Sequence, residues 1–356
     1  MENRIKKCQK VIHEKQLDAI LVTSAANRFY LSEFSGSAGK LLITKNDQNF
    51  LLTDFRYKEQ AANETENFEI VEINKNPQEK LAEFIKERNI NSLGFEDEDM
   101  SYKDYNKLNN LCQDIAFIPL EESITELRLI KEQKEIEKIR EAIRIAESAY
   151  EEILNFIKPG IKEIEIAAEL EYILRKKGGE GPSFDFIVAS GKRSSLPHGV
   201  ASDKKVKEGE FITIDFGTYY RGYCSDMTRT LVLGDPEPKQ EKIYNLVLKA
   251  HKKVIEEVKP GMSGKEADQI ARDIIKEAGY GEYFGHGLGH GLGIEVHEGP
   301  KVSYQSDVEL KAGMVFTDEP GIYIPDYGGV RIEDDILLQE SGCQVLNGLS
   351  KELITL

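Results

Sequence analysis

The sequence predicts a two-domain α+β chain: a smaller α/β domain over residues 1–125, then a larger duplicated domain over residues 126–356. Three observations carry this. At 356 residues the chain exceeds what one core of ordinary size accommodates. Its first third alternates apolar strand-like runs with helical patterns. Its remainder repeats itself: a Lys-Pro-Gly segment is followed, further on, by a strand bearing a carboxylate, and the whole pattern occurs twice.

In the first third, residues 2–16 read as a short helix. Strand-like runs follow at 19–24, 40–44, 49–54, 68–73 and 92–96, with helical patterns at 56–64, 77–89 and 101–112. The segment 27–44 holds a Gly- and Ser-rich turn, but lacks the GxGxxG and GxxxxGK[ST] spacings of a phosphate loop. This region offers no chemistry-bearing constellation; its expected roles are packing, dimer contact and walling off a pocket. Pro119 breaks the preceding element. From about Lys131, Ile136, Ile139, Ile143, Ala146, Tyr150, Ile153 and Leu154 recur at helical spacing, and Pro159-Gly160 ends that helix.

Composition narrows the function classes. A hydrophobic content of 40% and a charged content of 31% suit a soluble globular protein. A net charge of −16 argues against nucleic-acid or anionic-membrane partners. No apolar run approaches ~18 residues, and the N-terminal MENRIKKCQK lacks a signal-peptide core, so a cytoplasmic protein is expected. Cys8, Cys112, Cys224 and Cys343 form no CxxC pair and read as free thiols of a reducing compartment; Cys224 reads as a small buried hydrophobe.

The chain is organised around residues 210–230, EFITIDFGTYYRGYCSDMTRT, which read as strand, turn and strand. Phe211, Thr213 and Asp215 share one face; Ile212, Ile214 and Phe216 share the other. With Tyr220-Arg221-Gly222 as the turn, Asp215 and Asp226 fall opposite or diagonal to each other, their Cβ atoms about 4.5–8 Å apart. Carboxylates that close repel, and a divalent cation relieves the repulsion. The repeat sharpens this. Residues 156–181 match 257–282, and 206–217 match 310–321, which sets Glu319 on Asp215; a three-residue gap then sets Glu333 on Asp226. His198 falls near His297 in the same comparison. Duplication explains repeated helices and turns, but not carboxylates at matching strand positions.

Four gathered carboxylates with one imidazole suit two divalent cations about 3.5–4 Å apart. His290, in the glycine-rich run 284–300, is the expected imidazole ligand. Four of the six histidines, His198, His286, His290 and His297, belong to this constellation, whereas His13 and His251 sit on charged helices and read as incidental. Carboxylate-rich ligation with one His favours Mn²⁺, with Co²⁺ or Zn²⁺ as competitors.

With these residues in place, the sequence resembles the metal-dependent proline peptidases of family M24, Xaa-Pro dipeptidase (prolidase) and aminopeptidase P. The resemblance spans essentially the whole chain and rests on TIDFG, GYCSDMTRT, GHGLGHGLGIEVHE, TDEPGIY and GGVRIEDD; NRFYLSEFSGSAG resembles the N-terminal domain of the same family. It implies a catalytic domain of two pseudo-symmetric halves, the pita-bread fold. It implies metal ligands at Asp215, Asp226, His290, Glu319 and Glu333, with Asp226 and Glu333 bridging two cations. It implies catalytic roles for His198, His297 and Glu319, and a substrate pocket lined by His286 and Arg331. Tyr323 and the loop at Pro325-Asp326-Tyr327 are expected walls of that pocket. The implied substrate is a small peptide with proline in second position, and the implied assembly a homodimer. Hydrolysis of Xaa-Pro dipeptides is the leading expectation; cleavage of longer Xaa-Pro peptides is the alternative, and a non-catalytic binding module is a remote one. Lys301 stands where prolidases often carry an Arg after the HE-x-P motif, so it supplies charge without a bidentate fork. Methionine aminopeptidase fits less well, for want of the N-terminal domain and the GVRIEDD ending; creatinase-like enzymes lack the metal set.

Overall fold

The computed structural model describes residues 2–356, which form two compact units, one ending at Arg128 and one spanning Leu129–Leu356. The first unit is ordered α1 (Glu2–Glu14), β1 (Ala19–Val22), α2 (Ala25–Ser32), β2 (Lys40–Thr44), β3 (Asn49–Thr53), α3 (Lys58–Glu64), β4 (Glu69–Glu72), α4 (Pro77–Glu87), β5 (Ser92–Phe95), α5 (Tyr102–Leu111) and β6 (Ala116–Pro119). Its six strands run in the order β4-β3-β2-β1-β5-β6. The β1–β2 and β2–β3 pairs are antiparallel, and the outer pairs are parallel.

Two elements here differ from the expectation. Residues 25–32 are helical, opened by the Ser24 hydroxyl accepting from Asn27 N and closed by Glu33 at positive φ, so the turn is confined to the residues after it. Residues 116–119 form an edge strand, where Pro119 ends the ladder at no cost to a neighbour. The unit extends a little past residue 125: Asn27 Nδ2 donates to Thr125 Oγ1 (3.2 Å), and the Tyr30 hydroxyl to the Leu127 carbonyl (2.8 Å).

The second unit continues with α6 (Gln133–Ile153), α7 (Glu163–Lys176), β7 (Ile187–Ser190), β8 (Phe211–Phe216), β9 (Tyr219–Tyr220), β10 (Tyr223–Cys224) and β11 (Met227–Val232). The pattern then begins again: α8 (Pro238–Glu257), α9 (Gly264–Glu277), β12 (Gly289–Gly291), β13 (Glu298–Val302), β14 (Val315–Asp318), β15 (Gly321–Ile324), β16 (Gly328–Arg331), β17 (Asp334–Gln339), β18 (Gly342–Val345) and the short β19 (Ile354–Thr355). One sheet is ordered β19-β11-β8-β7, the other β13-β12-β14-β17-β18. Each half thus packs two helices on one sheet, as the internal repeat predicts.

Period and caps explain these elements. In α6 the buried stripe Ile136, Ile139, Ile143, Ala146, Tyr150 and Ile153 has helical spacing, and Glu135 reaches back to the Glu132 N–H at 2.8 Å. Ser263 and Glu266 form the same box at the start of α9. In β8, Ile212, Ile214 and Phe216 join the core beneath α6 and α7, while Thr213 and Asp215 face the other way, Thr213 Oγ1 lying 3.1 Å from Thr230 Oγ1. All six residues of β8 are buried, so Asp215 is no solvated hairpin edge.

The expected single hairpin is broken in two. β8 pairs with β11 and, beyond a kink, β9 with β10 around Arg221 and Gly222, both at positive φ. The kink is closed by Ser225 N donating to the Thr218 carbonyl (3.0 Å) and by Thr218 N donating to Ser225 Oγ (3.2 Å). Gly217 is required there, because a Cβ would stand 1.9 Å from the Ser225 carbonyl oxygen. Gly217→Ala is therefore expected to destabilise the chain by about 1–3 kcal/mol, the usual cost of overpacking, read as a lower midpoint in urea denaturation.

Candidate metal centre

Asp215 sits near the end of β8, and Asp226 immediately precedes β11. In the other half Glu319 immediately follows β14, and Glu333 immediately precedes β17. Asp215 is opposite Thr228, which puts Asp226 diagonal to it. Asp318 is opposite Asp334, so Glu319 and Glu333 continue outward from that pair. Asp226 N donates to Asp335 Oδ2 (3.2 Å) and Glu333 N to the Thr228 carbonyl (3.1 Å), bonds that join the two halves at the carboxylates.

His290 comes from β12. Gly289, whose Cβ would stand 1.9 Å from the Thr317 carbonyl oxygen, lets that strand lie against β14. The backbone N–H of His290 donates to Thr317 Oγ1 (3.0 Å), which in turn donates to Glu319 Oε1 (3.1 Å). His290 Nδ1 lies 3.1 Å from the Gly291 carbonyl and therefore carries the proton. Nε2 is left as a lone pair, 3.5 Å from Asp226 Oδ2 and 3.4 Å from Glu319 Oε1. Ligand atoms of Asp226, His290 and Glu333 all lie within 4.8 Å of one another. Asp215 Oδ1 and Asp226 Oδ1 are buried without a hydrogen-bond partner. Orphaned carboxylate oxygens and an imidazole lone pair turned inward on the same space are a donor set that fits divalent cations.

The electrostatics agree. Burial, then the charges of Glu333 and Asp215, hold the Asp226 carboxyl well above its ordinary range. Burial, then Glu319 and Asp215, do the same to Glu333. Glu319 is pushed up to about 8 by burial, against the opposing pull of Arg331. His290 is pushed down to about 4 by burial and by His297, whose ring centre is 4.2 Å away. These carboxyl groups titrate higher when folded than the ~4 of an unfolded chain.

The centre opens into a cavity of about 480 Å³. Its walls include Phe184, Asp185, Ile187, Pro197, His198, Val200, His286, His297, Lys301, Ser303 and Arg331, together with the five residues above. His198 and His297 are exposed to it. The loop carrying His198 is anchored by Glu163 of α7, whose carboxylate takes Ser190 N (2.7 Å), Ser202 Oγ (2.6 Å) and the Arg193 guanidinium. His297 is followed by Glu298, which forms a fully buried ion pair with Lys131 at 2.8 Å.

Arg331 donates to Asp215 Oδ2 (2.5 Å), Thr228 Oγ1 (2.9 Å) and the Tyr323 hydroxyl (2.9 Å). The Tyr323 hydroxyl lies 2.9 Å from His286 Nε2, and His286 Nδ1 lies 2.7 Å from the Gly287 carbonyl. Since Nδ1 must donate, Nε2 accepts from Tyr323. Tyr323, anticipated from sequence as a pocket wall, is buried and is not among the residues that line the cavity; its hydroxyl bonds two that do, His286 and Arg331. Pro325, Asp326 and Tyr327 also lie off the cavity. Lys301 does line it.

One residue was misjudged outright. His251 is not incidental; it is wholly buried between Asp318 and Asp334. Tyr244, Val247 and Val254 share its face of α8, and that apolar stripe is the signal that places it inward. His13, by contrast, is exposed on α1, and the four cysteines are all free thiols.

The chain is similar to known proteins along its whole length. The model of metallopeptidase family M24 matches residues 137–340, and that of the creatinase/prolidase N-terminal domain matches residues 4–130. A Xaa-Pro dipeptidase of Pyrococcus horikoshii is 43% identical, with 99% of each chain covered. Among solved structures, a Xaa-Pro dipeptidase from Bacillus anthracis has a TM-score of 0.97 at 47% identity, covering 100% of this chain and 99% of that one. An X-Pro aminopeptidase from Thermotoga maritima has a TM-score of 0.92 at 41% identity, covering 98% of this chain and 100% of that one. The fold and the two family models define a metal-dependent peptidase with a creatinase-type N-terminal domain and a pita-bread catalytic unit. The chain belongs to metallopeptidase family M24.

The raised carboxyl groups set a sign for pH. Stability they lend the metal-free protein is complete below about pH 4 and is lost as pH rises through about 8, where Glu319 ionises. The melting temperature of the metal-free protein is accordingly expected to fall between pH 5 and pH 9, and saturating Mn²⁺ to flatten the fall. A rise over that interval in differential scanning fluorimetry would contradict the assignment of these groups.

Proposed function

We propose that this chain is a dinuclear-metal Xaa-Pro dipeptidase. The observation that carries the reading is the convergence of Asp215, Asp226, His290, Glu319 and Glu333 on one cavity with two carboxylate oxygens unpartnered. In this reading those five residues would hold two divalent cations, Mn²⁺ first, with Co²⁺ and Zn²⁺ as competitors. When bound, the cations supply Lewis acidity to the scissile carbonyl and lower the pKa of water.

The chain's own residues do the remainder. His297 and His198, exposed at the cavity wall, donate N–H to the carbonyl oxygen as it gains charge. Glu319, at the cavity wall, carries a proton to the leaving imino nitrogen. Phe184, Ile187, Pro197 and Val200 give the cavity an apolar side for a pyrrolidine ring. The Xaa-Pro amide has no N–H, so the site needs no acceptor for one. Lys301 at the cavity wall offers a single positive charge to the substrate carboxylate. Arg331, fixed on Asp215 and Tyr323, holds one ligand and the His286 side of the pocket in register.

Similarity to Xaa-Pro dipeptidases supports a dipeptide substrate, and similarity to the X-Pro aminopeptidase of Thermotoga maritima supports the second reading, that longer Xaa-Pro peptides are cleaved. The reading includes a homodimer, and it includes the cytoplasm, with which four free thiols are consistent; among the described residues no helix is long and apolar enough to cross a membrane.

Cleavage of Xaa-Pro dipeptides against Xaa-Pro tripeptides, with Mn²⁺, Co²⁺ and Zn²⁺ in turn, tests the choice. Dipeptides are expected to be preferred; equal or better turnover of tripeptides selects the second reading, and no cleavage of either with any metal rejects both. Asp226→Ala is expected to abolish both metal binding and turnover, measured by elemental analysis and peptide assay. His297→Ala is expected to lower kcat by about a hundredfold, as loss of an oxyanion donor does, with metal retained; metal lost from that variant would mark His297 as a ligand.

A further inference from the structure

Beneath the carboxylates, outside the cavity, lies a second ionic cluster that the proposed reaction does not use. His251 projects from α8 with its ring fully buried. Its Nδ1 is 2.9 Å from Asp318 Oδ2 and its Nε2 3.0 Å from Asp334 Oδ2. Asp334 also takes Arg229 Nη2 on Oδ1 (2.7 Å) and Lys351 Nζ on Oδ2 (2.9 Å). Arg229 Nη1 donates as well to the Glu333 carbonyl (2.6 Å).

Position gives the cluster its meaning. Asp318 and Asp334 are direct cross-strand partners in the β14–β17 ladder. The next residue outward from each is Glu319 or Glu333. Two aspartates facing each other across a buried ladder repel and drive the strand ends apart. His251 Nε2 is hydrogen-bonded to Asp334 Oδ2 and Nδ1 lies 2.9 Å from Asp318 Oδ2, so a positive charge on the ring stands between the two carboxyl groups and is shared by both. Burial alone would push this imidazole down, but Asp318 and Asp334 outweigh it and hold it up at about 9. A buried ion cluster contributes little net stability compared with apolar packing of the same volume. What it fixes is geometry.

We propose that His251 is a positioning residue for the metal centre: its charge cancels the opposition of Asp318 and Asp334 and so sets the separation of Glu319 and Glu333. The proposal rests on the reading that those two glutamates hold metal. His251 touches neither the cavity nor the glutamates, so its effect on the centre passes wholly through the strand pair.

The test uses the full chain, with Mn²⁺ alone as the probe, titrated in competition with a chromophoric chelator. His251→Gln is expected to weaken Mn²⁺ binding at least tenfold and to lower kcat at least tenfold, with KM within threefold of the parent. Asp318→Asn leaves the imidazolium paired with Asp334 and removes the repulsion, so Mn²⁺ affinity is expected to stay within threefold. The double variant His251→Gln/Asp318→Asn, with a neutral group at both positions, is expected to recover Mn²⁺ affinity and kcat to within threefold. A His251→Gln protein with a lower melting temperature but parental Mn²⁺ affinity would reduce His251 to a packing residue and overturn the proposal. Should His251→Gln fail to fold, the double variant decides. Folding with parental affinity supports the proposal; weak Mn²⁺ binding or failure to fold overturns it. Glu333→Gln in the parent background keeps the two readings apart: unchanged Mn²⁺ affinity there would mean that the ligand assignment, not the role of His251, is at fault.

Discussion

The mutual repulsion of carboxylates held out of water is the constraint around which the catalytic unit is built. Asp215, Asp226, Glu319 and Glu333 face one cavity, and among the described lysines and arginines only Arg331 forms an ion pair with any of them, through Asp215. Burial and proximity push three of the four upward, a state that protons or metal ions must relieve. Everything near the site is arranged to keep the four from spreading apart. Thr228 bonds Glu333, Thr317 bonds Glu319, and Arg229 bridges Asp334 to the Glu333 backbone.

Duplication makes this arrangement economical. Each half contributes an antiparallel strand pair with one acidic residue at the end of one strand and another just before the next. The copies are not identical. Asp226 is diagonal to Asp215, because the pairing there is Asp215 with Thr228, whereas Glu319 and Glu333 extend a ladder whose last pair is Asp318 with Asp334. A shift of two residues leaves side chains on the same face, so the offset preserves the basin while changing its shape. The imidazole ligand candidate comes from the second half, through the glycine-lined β12, whose place beside β14 matches that of β7 beside β8.

Much of this was legible in the sequence, for identifiable reasons. The four candidate carboxylates lie in short motifs that occur in duplicate, and strand alternation alone puts Asp215 on the face opposite Ile212 and Ile214. Strands and most helices of the first unit were legible because their apolar runs are short and bounded by polar turns. Helix α2 was hidden by the Gly- and Ser-rich turn that follows it, and β6 by its Pro. Tyr323 was misplaced because sequence shows that a residue is near a site, not whether it stands in front of its neighbours or behind them. His251 was obscured by Lys249, Lys252 and Lys253 around it, which give α8 a charged look, although only one face of that helix is wet. Asp318 and Asp334 were eclipsed by the adjacent glutamates; being one residue off, they point away from the cavity, where a second layer of charge is invisible to motif reading.

The split of the ligand set between the halves has a consequence for biosynthesis. A ribosome delivers Asp215 and Asp226 first, and the remaining three candidates, His290, Glu319 and Glu333, emerge later. A nascent chain that has reached Asp226 therefore carries a pair of candidate aspartates without His290, an incomplete donor set. Only when β17 is laid against β14, with Glu333 N hydrogen-bonded to the Thr228 carbonyl of the earlier half, is the full set assembled. Capture of a metal is thereby deferred until the last long-range contacts have formed, which makes metal loading report on completed translation of the chain.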